Sequence, residues 1–103
     1  MAITNTRLTT TGSTTVFSAA NGQAITVIYL TNTTATPVSA NVYAIDGGVG
    51  ASASNMIYSQ IALTANDTYV ISTEKLILEN TDTITVAANI ADCVTVTVSS
   101  INI

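Results

Sequence analysis

Six carboxylates, two cations, one thiol and four phenols are the groups through which this 103-residue chain could do chemistry, and it contains no histidine. The absence removes the commonest general base, the commonest metal ligand and every His-dependent triad. Cys93 is the single cysteine. It can form no internal disulfide and cannot build a zinc or iron–sulfur site within one subunit. The acids are Asp46, Asp67, Glu74, Glu79, Asp82 and Asp92. Glycosidase chemistry needs two of these facing one another across a cleft, whereas the four aspartates stand at turn-forming positions where a carboxylate bonds nearby backbone NH groups. Their spacing is not that of an EF-hand, and Gly47-Gly48-Val49-Gly50 opens no helix that could cradle a phosphate. The expectation is a protein with no catalytic residue, no metal ligand and no cofactor.

What remains are groups suited to contact. Tyrosine and methionine bury a large body while staying compatible with a protein surface. In simple strand register Tyr43 shares a face with Asn41 and Ile45, and Tyr58 shares one with Met56 and Gln60. Those faces are mixed, so Tyr43, Met56 and Tyr58 read either as core or as an interface. Tyr29, aligned with Ile25 and Val27, reads as core. Cys93 reads as a small buried hydrophobe. The Asn-x-Thr matches at Asn32 and Asn66 are expected by chance in a chain with 20 threonines. Arg7 and Lys75 are the only cations against a net charge of −4, so no basic stripe exists for nucleic acid or an anionic membrane.

The elements that position these groups are strands. Period-two alternation recurs and no stretch offers a 3.6-residue stripe. Segments 3–9, 14–18, 24–31, 38–45, 56–63, 68–72, 76–78, 83–89 and 94–100 read as strands, with turn residues between them. Thr11-Gly12-Ser13 reads as a hairpin turn between the first two, and the segments at 83–89 and 94–100 read as a pair. In the last, Val94, Val96 and Val98 are followed by Ile101 and Ile103 on the other parity, which predicts a β-bulge or strand end near Ser99 and Ser100. Residues 24–31 are more continuously apolar, as in a central strand covered on both faces. Residues 46–55 read as a flexible exposed loop, either a contact loop or a long hairpin connection. The fold class is all-β: one β-sandwich domain over residues 1–103, jelly-roll or immunoglobulin-like, of about eight or nine short antiparallel strands.

Charged residues make up 8% of the chain, against about 25% in an ordinary domain. Threonine, serine and asparagine take their place, and a hydroxyl is far cheaper to bury in a contact than an ammonium or carboxylate. Sheet edges are usually protected by Lys or Pro, and the chain has one of each. Self-association is therefore expected. The longest apolar run, residues 24–30, is too short to cross a bilayer as a helix. The first residues lack a basic stretch followed by an apolar one, so no export signal and no membrane partner are expected.

Several stretches, Asn5-Thr6-Arg7-Leu8-Thr9, Tyr29-Leu30-Thr31-Asn32-Thr33-Thr34, Asn41-Val42-Tyr43, Ala65-Asn66-Asp67-Thr68, Asp82-Thr83-Ile84 and Val96-Thr97-Val98-Ser99-Ser100-Ile101, together resemble the small virion structural proteins of tailed bacteriophages of marine and cyanobacterial hosts. The resemblance spans nearly the whole length. It implies a compact sandwich present in many copies on the particle, assembled in the host cytoplasm and carrying no catalytic residue. Its partners would be itself, as a homo-oligomer such as a trimer, and other virion proteins such as the major capsid protein. Capsid decoration or cement is the leading role it implies; a tail, neck, baseplate or fibre-associated component, with or without glycan binding, is the alternative.

Overall fold

Alternating apolar and β-branched residues between turn signals lay the chain out as nine strands. The computed structural model describes residues 2–47, 49–72 and 76–102, and all their regular structure is β. The strands are β1 (Ala2–Arg7), β2 (Thr14–Ser18), β3 (Gln23–Asn32), β4 (Val38–Ile45), β5 (Met56–Leu63), β6 (Thr68–Ile71), β7 (Leu76–Leu78), β8 (Thr83–Ala88) and β9 (Val94–Asn102). They form two packed antiparallel sheets. The first runs β1-β9-β3-β6 with β7 also on β3, and the second runs β2-β8-β4-β5.

The pairing has a simple logic. β4 and β5 make the one hairpin between consecutive strands, and outward from it β3 pairs with β6 and β7, β2 with β8, and β1 with β9. Because β6 and β7 pair with successive stretches of β3, residues 28–31 and 23–25, they act as one interrupted strand. The chain is thus a long hairpin of four strand pairs, rolled up so that β9 meets β3 and β8 meets β4. Of the two sandwich types expected, this is the jelly roll.

Two expected neighbourhoods are absent. β8 and β9 lie in different sheets, and so do β1 and β2, so residues 8–13 and 89–93 are crossings between sheets and not hairpin turns. Alternation says which face of a strand is buried, and a strand can satisfy that beside its neighbour or across the core from it. At the crossing Leu8 is buried and tied by Leu8 N to Val94 O at 2.9 Å and Asp92 N to Leu8 O at 2.9 Å.

Inward residues of both sheets form one core, including Ile28, Leu30, Val42, Leu63, Ile84, Val86, Val94, Val96 and Val98. Burying each such side chain contributes about 1.5–3 kcal/mol. Bulges decide which residues join it. In β3, Ile25 stands opposite Ser100 and Val27 opposite Ser99, leaving Thr26 as an extra residue that reverses the parity of everything after it. β9 itself keeps an unbroken register against β1. The irregularity expected in β9 therefore sits on its partner strand. Ser100 faces the core, Ile101 faces out, and Tyr29 lands on the outer face instead of the core.

Candidate interaction surface

The outer face of the first sheet is built by that parity change. Register places Ile101, Ala24 and Ile77 in one outward row. The next row holds Ile3, Ser99 and Val27, and the one after it Asn5, Thr97, Tyr29 and Val70. A last row holds Arg7, Thr95, Thr31 and Thr68. One half of the face is therefore apolar and the other hydroxylic. Ile3 is 67% exposed, Ile77 60%, Val70 47% and Tyr29 39%. Ala24 is buried although it lies outside the core cluster, because Ile77 and Ile101 flank it in its row. Thr97 donates to Asn5 Oδ1 at 2.8 Å, and Thr31 and Thr68 share a hydrogen bond at 3.2 Å.

The outer face of the second sheet is covered by the chain's own loop. Tyr43, opposite Thr85 of β8, points outward with Ile45, yet Tyr43 is only 9% exposed and both lie outside the core cluster. Val49, Gly50 and Ala51 line a cavity of about 230 Å³ together with Ile45, Thr83, Thr85 and two residues next to or in β2, Ser13 and Thr15. The loop at 46–55 is held by its own bonds: Ser52 N to Asn55 Oδ1 at 2.9 Å, Asn55 Nδ2 to Gly50 O at 2.9 Å, and Asn55 O accepting from Ala44 N at 3.0 Å. Gly47 enters it with φ 68°, a left-handed turn that suits glycine. The loop is a hairpin connection that folds back over its sheet.

Tyr58 and Met56 part company. β5 carries extra residues opposite β4, at Ser59-Gln60 and at Ile57, so Tyr58 turns inward opposite Val42 while Met56 stands opposite Tyr43. Inside the mouth of the sandwich the Tyr58 ring meets Tyr69 edge-on, with centroids 6.3 Å apart. Below this pair a groove of about 370 Å³ opens between the sheets, lined by Ile25, Ile28, Ile57, Tyr58, Ile71 and Leu76. The three residues that read as core or interface take different places: Tyr43 lies buried on the outer face of its sheet, Met56 is half-buried opposite it, and Tyr58 packs on the core.

Among the described residues the sheet edges are blunted without Lys or Pro. β5 is twice bulged, β2 is bulged at Val16, and β6 and β7 are short. Each device disfavours pairing with another chain. β1 is the regular edge.

The carboxylates do structural work. Asp82 accepts Gly47 N and Glu79 N, each at 3.0 Å. These backbone bonds, that from Glu79 foremost, hold its carboxyl below the ordinary 3.8. Asp67 accepts Thr68 N at 2.9 Å and the Thr64 hydroxyl at 3.2 Å. Among the described residues no group of three or more acids or cysteines could hold a metal ion, and no helix is long and apolar enough to cross a membrane. Asn32, one of the two Asn-x-Thr positions, is fully buried; its amide donates to Thr36 O, Leu63 O and Thr64 O and accepts from Thr34 N and the Thr34 hydroxyl. It ties the turn after β3 to the end of β5 and has no room for a glycan. Cys93 is buried, its thiol 3.5 Å from Ala91 O.

No protein-family model matches the chain, and no curated protein matches it in sequence.

Proposed function

We propose that this is a non-enzymatic structural protein of a tailed-bacteriophage virion, a capsid decoration or cement protein that stabilises the head by adding protein–protein contact. The observation that carries the reading is the outer face of the first sheet, a surface of apolar, hydroxyl and amide side chains on which Arg7 is the only charged group among the described residues. Such a face can be desolvated with little electrostatic cost. The stretches that resemble phage virion proteins, the small size of the domain and the lack of histidine support the same reading.

Counting the protein in purified particles, by mass spectrometry against a capsid protein of known copy number, tests it. Hundreds of copies are expected for a decoration protein. A few to a few dozen would move the protein to the tail, neck or baseplate, and its absence from particles would end the virion reading.

A further inference from the structure

We propose that the outer face of the first sheet is where two copies of this chain pack face to face about a two-fold axis. The proposal rests on the reading of the chain as an assembly protein and names the surface and the partner.

Three observations select a second copy. The first is charge. The chain carries −4, and the described carboxylates, Asp46, Asp67, Glu79, Asp82 and Asp92, all lie outside the strands. Two acidic molecules meet with least repulsion on the face that bears none of these groups, whereas a basic partner would be drawn to the turns. Arg7, the one charge on the face among the described residues, is already engaged by the Thr33 hydroxyl and the Asp92 carbonyl.

The second is area. Strands about 4.8 Å apart, with six residues in β1, nine in β9, ten in β3 and four and three in the interrupted β6 and β7, present roughly 500 Å² at about 3.4 Å per residue. Two such faces bury about 1,000 Å², at the lower bound for a specific interface. The apolar half alone falls short, so the contact extends over the threonine half, where hydroxyls can bond across the interface.

The third is likeness to the interior. Tyr29, Val70, Ile77, Ile3 and Ile101 on one antiparallel sheet resemble the inner faces that already pack together in this molecule. A sheet apolar on both sides is the kind covered on both sides. An isologous contact lets each copy serve as the other's cover.

Sedimentation velocity on the wild type, with Tyr29→Glu, Val70→Glu and the control Ile57→Glu, tests the proposal, with circular dichroism to establish folding. Ile57 is exposed on β5, in the other sheet. A wild-type dimer at about 100 μM is expected, with Kd raised about 100-fold or more by either face variant and unchanged by the control. A monomeric wild type, face variants that still dimerise, or dissociation by Ile57→Glu would each overturn it. If the face variants do not fold, hydroxyl-radical labelling of the wild type reads the same surface. Tyr29 and Ile77 should be several-fold less labelled in concentrated than in dilute protein, and equal labelling counts against the pairing. Protection of these residues in particles alone would assign the face to a different virion protein. Particle copy number is read independently, so a monomer still found in particles sinks this interface and leaves the virion reading standing.

Discussion

Asn32 and Ser100 are both buried polar residues of the first sheet, and they should respond to truncation in opposite ways. The Asn32 amide serves three carbonyls and is itself served by Thr34. Asn32→Ala strands several buried groups, each costing about 1–3 kcal/mol. A loss of about 3 kcal/mol is expected, seen in thermal unfolding as a fall in Tm of roughly 12–24 °C. Ser100 is 1% exposed and its hydroxyl has no partner among the described residues, so Ser100→Ala should be neutral or stabilise by up to about 1 kcal/mol. A marked loss of stability in that variant would mean that the hydroxyl is satisfied. Asp82 adds a pH dependence. Its folded pKa lies below the ordinary 3.8, so its contribution is present above that value and is lost as pH falls through the lower, folded pKa. Urea titrations of Asp82→Asn should show a deficit at neutral pH that shrinks as the pH drops below 3.8; a deficit independent of pH would argue against the carboxylate.

At the scale of elements the bulges govern which side chains face outward. Deleting Thr26 removes the extra residue of β3 and leaves Ile25 and Val27 on consecutive positions opposite Ser100 and Ser99, so every other side chain keeps its face. The variant should keep a cooperative unfolding transition, and loss of that transition would mean that the bulge itself is needed. Gln60, in the bulge of β5, has φ 53° and donates its backbone N–H to Asn41 Oδ1 at 2.7 Å. Gln60→Val should cost about 1–2 kcal/mol relative to Gln60→Gly, because a branched side chain resists the left-handed region. These same bulges explain what could be read in the residues alone. Strands 14–18, 38–45, 56–63 and 76–78 were legible to the residue, since alternation and turn formers mark them directly. The faces beyond a bulge were not: Ile25-Thr26-Val27 and Ser59-Gln60 carry no glycine to announce an extra residue, so extending the alternation sent Tyr29 inward and put Tyr58 beside Met56. Partners were illegible for a different reason, as β8 and β9 both show one apolar face whether they pair side by side or oppose one another. Val70 and Ile77 were missed as surface residues because each lies in a strand of four residues or fewer.

For the whole molecule the rolled-hairpin order means that most ladders join distant parts of the chain; Thr97 and Asn5 are 92 residues apart. Closing such loops precedes the contacts that reward it, so refolding monitored by tyrosine fluorescence after dilution from urea should take milliseconds to seconds. A microsecond phase carrying the full amplitude would contradict this topology.

The pairing of β1 with β9 also fixes how the molecule answers to force. Ala2 lies opposite Ser100, so the two ends leave the same end of the same ladder. Tension applied between them opens that ladder one hydrogen bond at a time, like a zip, and β1 peels away before the sandwich is strained. Pressure on the broad faces meets both sheets at once. A protein built this way bears load through its flat sides, and is a poor tether when pulled through β1 and β9.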